Sequence, residues 1–242
     1  ARKNNIYLIE DTCESLGAKY KNKFLGTFGD FGTYSFYYSH QITSGEGGMI
    51  VCNSKDDYQI IYSLRSHGWD RGLNKSSKKN QFNFINSGFN LRPMDLTAAI
   101  GLSQFKRLNT MMKIRALNRD KIINKIKNST DWNGQFNFFY PSKNVRPSWF
   151  GLPIIINNLK KKNKDKFLNY LNYKGVETRP ILSGNFLNQP SAKLYKLNKN
   201  LKFKNSQSIE DSGFFIGLPT EPISDKNLEF LTAKLMDINK FE

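Results

Sequence analysis

Short apolar runs alternate with turn-rich segments in the first half of the chain, a pattern typical of α/β folds. Residues 6–9 are almost entirely apolar and are followed by Glu10 and Asp11. This predicts a buried strand of a parallel sheet with acidic residues at its carboxyl end. Residues 33–37 and 49–52 predict two further strands, separated by glycine-rich turns.

Helical periodicity is clearest over residues 94–127, which begin just after Pro93, a residue favoured in a first helical turn. We expect this helix to break near residues 108–109. The remaining predictions are a helix over 56–66, a polar loop over 69–88, strands over 150–156 and 176–181, and helices over 164–173 and 225–238. A boundary near Asp131 therefore divides an α/β portion, residues 1–130, from a smaller α+β domain, residues 131–242.

Composition fits a globular protein: 38% of the 242 residues are hydrophobic and 14% are aromatic. No apolar run approaches the roughly 18 residues that a membrane span requires, so we expect no membrane segment. The first residues are not typical of a secretory signal. Two cysteines, Cys13 and Cys52, provide neither a disulfide framework nor a metal-binding spacing, which favours a cytoplasmic location.

The formal net charge of +17 raises the possibility of a nucleic-acid partner. The lysines are scattered among many asparagines, which indicates compositional bias, and the dense run over 160–164 is typical of a solvated turn. Residues 196–204 are expected to form an exposed loop. We therefore expect no nucleic-acid partner, although a basic surface also attracts a phosphorylated cofactor or a nucleotide-sugar.

The segment from Ser35 to Gly48 carries the most specific motif and reads S-F-Y-Y-S-H-Q-I-T-S-G-E-G-G. It resembles the segment S-F-x-x-x-K-x-x-x-x-G-E-G-G of the sugar aminotransferases, a family of fold type I enzymes that depend on pyridoxal phosphate (PLP). In that family the lysine binds PLP covalently and transfers the proton. His40 stands at this position here. An imidazole transfers protons near neutral pH but does not form the covalent bond.

Further segments resemble the same family in the same order: residues 9–17, 26–30, 64–68 and 88–94. Residues 147–151, 178–186 and 213–217 resemble its nucleotide-sugar 3-dehydratases, in which histidine replaces the lysine. The resemblance implies a mixed, mostly parallel sheet sandwiched by helices, followed by a smaller α+β domain. Family members also have a substantial N-terminal portion, so this chain is expected to be a fragment.

The resemblance also implies which residues bind the cofactor. Asp11 would pair with the pyridine nitrogen of PLP, Glu14 would contact the ring hydroxyl, and Ser35 would bind the phosphate. Asn90 resembles a residue that reaches the cofactor of a neighbouring subunit, which implies a homodimer with a shared active site. Taken alone, Asp11 is more typical of a residue that caps the next helix. Glu14 is almost as typical of an exposed helix, and the alternative for Ser35 is a buried strand serine.

On the substrate side, Arg179, Ser183 and Asn185 are implied as binding residues, although Arg179 is also typical of a surface ion pair. The structural alternative is favoured for His67 and for the glycine-rich turn at residues 45–48. The branch includes a CDP-sugar enzyme with a two-iron cluster. Such clusters usually need four thiolates, and this chain has two cysteines, so we expect neither an iron–sulfur cluster nor another metal.

The implied reaction is the removal of the C3 hydroxyl from a 4-keto-6-deoxy nucleotide-sugar in dideoxysugar and lipopolysaccharide O-antigen biosynthesis. His40 is expected to act as the general base beside non-covalent PLP or pyridoxamine phosphate (PMP), and L-glutamate to regenerate PMP. The sequence leaves open whether the nucleotide is GDP, as in the GDP-4-keto-6-deoxy-D-mannose 3-dehydratases, or CDP. Two alternatives are a nucleotide-sugar aminotransferase and a cofactor-free scaffold.

Overall fold

Two parallel strands, β1 (Ile9–Asp11) and β4 (Phe31–Ser35), form the part of the fold that positions the candidate site. The computed structural model describes residues 1–73, 82–158, 160–195 and 202–241. The other strands are β2 (Lys19–Tyr20), β3 (Lys23–Phe24), β5 (Gly48–Cys52), β6 (Phe136–Phe138), β7 (Val145–Arg146), β8 (Gly151–Ile156), β9 (Thr178–Arg179) and β10 (Gly213–Gly217). The helices are α1 (Lys55–Leu64), α2 (Asp95–Lys127), α3 (Lys161–Tyr173), α4 (Lys204–Ser212) and α5 (Asp225–Met236).

The chain forms two compact units, one of Ala1–Thr110 with Pro141–Ser148 and one of Met111–Tyr140 with Trp149–Glu242. The boundaries of these units differ from the predicted domains, residues 1–130 and 131–242. The predicted domain division remains a prediction. Within the described residues, no helix combines the length and the apolar character needed to cross a membrane.

The first unit contains a three-stranded sheet in the order β1-β4-β5, parallel between β1 and β4 and antiparallel between β4 and β5. Asp11 lies opposite Thr33 in this register. The predicted parallel strand with acidic residues at its carboxyl end is confirmed in part, since β1 begins only at Ile9 and ends at Asp11. Its predicted burial was wrong, because the side chains of residues 6–9 are all exposed. Just before β1, the Leu8 N–H donates to the Asp30 carboxylate, and the Asp30 N–H donates to the Leu8 carbonyl.

Helix α2 is continuous, so the break predicted near residues 108–109 was also wrong. Leu108 and Met111 are both buried, which means that burial continues through the expected break. The predicted strand over 49–52 and helix over 56–66 are confirmed as β5 and α1. Of the loops predicted over 69–88 and 196–204, residues 74–81 and 196–201 lie outside the described residues; Lys204 begins α4.

The second unit has a four-stranded antiparallel sheet in the order β6-β8-β10-β9. Ile154 lies at its centre, opposite Phe138 on β6 and Phe214 on β10. The core of the unit includes the fully buried side chains of Phe167, Phe214 and Leu235. The strand expected over 176–181 is reduced to the two residues of β9. The strand over 150–156 and the helices α3 and α5 are confirmed within a few residues.

Candidate active site

The carboxyl ends of β1 and β4 meet at one sheet edge, where open α/β sheets bind ligands. Asp11 ends β1 with an exposed carboxylate whose Oδ1 accepts hydrogen bonds from the Cys13 N–H at 3.2 Å and the Thr33 hydroxyl at 3.4 Å. Hydrogen bonds from the Cys13 thiol and N–H, with a weaker one from Thr33, hold the pKa of Asp11 below its usual value of 3.8. An anionic carboxylate therefore stands at this edge at neutral pH.

Glu10 turns the other way, because successive side chains of a strand point to opposite faces. Its carboxylate accepts three backbone N–H groups, from Gly26 at 2.7 Å, Phe28 at 2.5 Å and Gly29 at 2.7 Å. Partial burial raises the pKa of Glu10, but these three donors outweigh it and lower the pKa below 4.5. Glu10 thus ties β1 to the glycine turn. The sequence did not predict that Glu10 would bind the glycine turn, although its position next to Asp11 was a possible indication.

The glycine turn is tightly packed. Gly26 has a φ of +88°, and a Cβ there would lie 2.5 Å from the Tyr34 hydroxyl. At Gly32 a Cβ would lie only 2.0 Å from the Gly26 carbonyl oxygen. Side chains at these two positions would separate the turn from β4. The glycines therefore allow the close approach that brings the turn within reach of Glu10.

His40 lies in a loop between β4 and β5 that main-chain hydrogen bonds close. Phe36 N–H donates to Gly47 O at 2.8 Å, Ser44 N–H to Phe36 O at 2.9 Å, and His40 N–H to Tyr37 O at 3.1 Å. The imidazole packs edge-on against the Tyr37 ring, with centroids 5.6 Å apart. The backbone thereby fixes the position of residue 40.

The His40 imidazole is close to a carboxylate, since its Nε2 lies 3.9 Å from Glu14 Oε1. The His40 side chain is only 12% exposed, whereas that of Glu14 is 38% exposed. Next to His40, the fully buried amide of Gln41 donates to the backbone carbonyls of Glu14 and Ser148, the latter at 3.1 Å. Sequence reasoning missed Gln41, because its partners are distant in sequence.

Ser35 ends β4 two residues after Thr33, on the same face of the strand, and its Oγ accepts the Tyr37 N–H at 3.2 Å. The structure thus brings Asp11, Glu14, Ser35 and His40 to one region of the first unit. Asn90 is exposed and forms an isolated β-bridge with Ser66 after α1. The exposed His67 has a φ of +63°.

The three predicted substrate residues lie in the second unit. Arg179 Nε and Nη2 contact Glu177 Oε1 at 2.9 and 2.8 Å, the ion pair that the alternative interpretation expected. The Ser183 carbonyl accepts the Gln189 amide at 3.2 Å. Asn185 is buried, caps a 3₁₀ turn and donates to Gln207 at 3.0 Å. Asn185 also lines an open cavity of about 1030 Å³. Their roles in substrate binding remain predictions.

The described residues contain no group of three His, Cys, Asp or Glu side chains placed to hold a metal ion. Residues 1–227 match the model of the DegT/DnrJ/EryC1/StrS aminotransferase family. The chain belongs to this family. The match includes both units, and it confirms the family predicted from the motif around His40.

Members of the DegT/DnrJ/EryC1/StrS family that resemble this chain include GDP-4-keto-6-deoxy-D-mannose 3-dehydratase of Escherichia coli O55:H7, 34% identical over 224 residues. That alignment covers 88% of this chain and 56% of the relative. A structure of GDP-4-keto-6-deoxymannose-3-dehydratase (ColD), a histidine-to-asparagine variant with bound GDP-perosamine, matches with a TM-score of 0.83 at 32% identity. The match covers 61% of the ColD chain and 96% of this chain.

A second structure of the same enzyme contains a trapped PLP–glutamate geminal diamine, with a TM-score of 0.82 and 31% identity. It is also covered over 61% of its length and this chain over 96%. This chain therefore spans little more than half the length of these relatives. The structural matches confirm the predicted fold class, a fold type I PLP-dependent transferase fold.

Proposed function

We propose that this chain carries the cofactor and proton-transfer site of a PLP- or PMP-dependent nucleotide-sugar 3-dehydratase. The observation that supports this most directly is His40. It occupies the lysine position of the family motif, is largely buried, and lies beside Glu14 at the carboxyl edge of β1 and β4. A side chain that moves protons but does not bind PLP covalently favours dehydration over transamination of the sugar.

The residues at this edge fit PLP or PMP. The Asp11 carboxylate is anionic at neutral pH, as a partner for a protonated pyridine nitrogen must be. The hydroxyl of Ser35 suits a phosphate, and Glu14 suits the ring hydroxyl. When bound, the cofactor supplies an electron sink for bond cleavage next to the C4 ketone of the sugar.

In this proposal His40 acts on protons at two points. As a base it accepts a proton, and as the resulting acid it delivers one to the departing C3 hydroxyl. The edge-on contact with Tyr37 and the closed loop hold the ring in one place for both transfers. The low exposure of the imidazole limits competition from solvent water.

We further propose a GDP- or CDP-linked 4-keto-6-deoxy sugar as substrate, L-glutamate as amino donor and the cytoplasm as location. ColD with bound GDP-perosamine and ColD with a PLP–glutamate adduct support the first two. The free thiols of Cys13 and Cys52 are consistent with a reducing compartment.

A homodimer is part of this proposal. Its support is an exposed apolar stretch around Asn90, whose large side chains are 42–69% exposed: Phe82, Phe84, Ile85, Phe89, Leu91, Met94, Leu96, Ile100, Leu102 and Phe105. Large exposed apolar patches on soluble proteins mark interaction sites. Sedimentation should show a dimer that Leu102→Lys dissociates. A monomeric parent chain would contradict this part.

Cofactor spectroscopy tests the proposed function. We expect the chain to bind PLP without a borohydride-fixed lysine adduct, and L-glutamate to convert PLP to PMP. His40→Asn should slow this conversion by about 100-fold or more, as loss of a general base does. The chain has only one other histidine, so His67→Asn is the matched control and should behave as the parent chain does.

Each alternative has its own outcome. A lysine fixed by borohydride, located by peptide mapping, would favour an aminotransferase. Absence of PLP binding both by this chain and by an N-terminally extended form would favour a cofactor-free scaffold. Binding by the extended form alone would keep the function for the longer protein and refute it for this chain.

A further inference from the structure

Gln41 is a fully buried polar side chain beside the proposed general base. Its side chain is among the largest in the protein with almost no solvent exposure, at 1%. The amide Nε2 donates to two backbone carbonyls, those of Glu14 and Ser148. These partners lie 27 and 107 residues away in sequence, so one side chain joins three separate segments of the first unit.

One of these segments carries the carboxylate that faces His40. Glu14 accepts from Gln41 through its main-chain oxygen, while its side-chain Oε1 lies 3.9 Å from His40 Nε2. Residues 40 and 41 are adjacent, so the amide fixes both ends of this contact. On the other side, the Tyr37 carbonyl accepts the His40 N–H. The imidazole is therefore held between a turn and a buried amide bridge.

We propose that Gln41 is a positioning residue that sets the place of His40 relative to Glu14 and Tyr37. This inference rests on the proposed function of His40 and adds a residue to the same site. This assignment gives Gln41 no part in the proton transfer itself. It acts through the two carbonyl contacts, which no apolar side chain of the same length reproduces.

A glutamine suits this position better than its isosteres. Methionine has nearly the same length but no N–H donors, so it would leave two inward-facing carbonyls without their donor. Glutamate would place a carboxylate against carbonyl oxygens. Asparagine keeps the amide but is one methylene shorter, so it cannot span both carbonyls.

The test compares Gln41→Met and Gln41→Asn with Asn118→Leu. Asn118 is the matched control, since it is also a buried amide, 1% exposed, that donates to two backbone carbonyls, but it lies in the second unit. Imidazole ¹H–¹³C spectra report on the two histidines separately, with His67 as an internal reference. These spectra require no cofactor, so their outcome is independent of whether the proposed function holds.

We expect both Gln41 variants to shift the His40 ring signals and to weaken the nuclear Overhauser contact with Tyr37, while His67 stays unchanged. In PLP-loaded protein, conversion at saturating glutamate should slow by about 10- to 100-fold with little change in KM, as small misplacements of a reacting group do. Asn118→Leu should lower the thermal midpoint without moving the His40 signals.

Parent-like His40 signals and Tyr37 contact in either folded Gln41 variant would overturn the proposal. So would equal changes of the His40 signals in Asn118→Leu, because Gln41 would then contribute only general stability. If Gln41→Met does not fold, the shorter Gln41→Asn decides. If the spectra change as expected but the parent chain binds no PLP, the proposed function fails and the positioning role stands.

Discussion

Asp237 provides a quantitative test of how the second unit is stabilised. Its carboxylate lies in the 3₁₀ turn after α5, 14% exposed, and accepts a hydrogen bond from the Tyr170 hydroxyl. Lys240 Nζ lies 2.5 Å from one carboxylate oxygen and Lys234 Nζ 3.3 Å from the other. Burial raises the pKa of Asp237, but Lys240, Tyr170 and Lys234 together lower it from 3.8 to about 2.

The stability contribution follows from this difference. A fall from 3.8 to about 2 corresponds to roughly 2 kcal/mol that the ionised carboxylate adds to the free energy of unfolding. Because the folded-state pKa is depressed, the contribution is complete above about pH 4 and disappears as the pH falls towards 2. Asp237→Asn should therefore lose roughly 2 kcal/mol at pH 7 and approach the parent chain in acid.

Urea unfolding followed by circular dichroism at pH 7, 5 and 3 measures this directly. Asp165→Asn is the control, since Asp165 is an exposed aspartate on α3 of the same unit, and its change should stay within about 0.5 kcal/mol. Equal stability of Asp237→Asn and the parent chain at pH 7 would refute the reasoning. A loss of the same size at all three pH values would also refute it, because a charge effect must fade in acid.

Three further predictions concern single contacts. Glu10→Gln should lower the free energy of unfolding by about 2 kcal/mol at pH 7, because the new NH₂ group would face backbone N–H donors. This loss should shrink below about pH 4.5, where the carboxylate of the parent chain becomes protonated, and thermal unfolding at two pH values measures it. Asn118→Leu should cost roughly 3 kcal/mol in urea unfolding, and a loss under about 1 kcal/mol would contradict the buried bridge. Gly32→Ala should cost roughly 2–4 kcal/mol because of the clash with Gly26, whereas Gly217→Ala, with open space at its Cβ, should be nearly neutral.

The sequence was most informative where a motif is continuous along the chain. The motif around His40 predicted the family and fold class correctly, and periodicity predicted α1, α3 and α5. The resemblance also indicated Asp11, Glu14 and Ser35 as cofactor-binding residues, and these roles remain proposals. These signals depend on residue spacing alone, which a single sequence displays.

Long-range hydrogen bonds explain what the sequence could not predict. Gln41 bonds to a carbonyl 107 residues away, and Glu10 bonds to a turn 16 to 19 residues away. Residues 6–9 have the apolar composition of a buried strand, but all four side chains are exposed. Leu108 and Met111 are buried where we expected helix α2 to break, and the helix continues through them. For Gln41 and Glu10 the deciding partners are distant in sequence.

The loop that carries residue 40 is closed by main-chain groups, between Phe36 and Gly47, Phe36 and Ser44, and Tyr37 and His40. None of these bonds involves the side chain at position 40. An exchange between histidine and lysine there therefore leaves the closing bonds in place. A change of the codon at position 40 therefore requires no new backbone, so evolution can vary this side chain while the loop around it is kept.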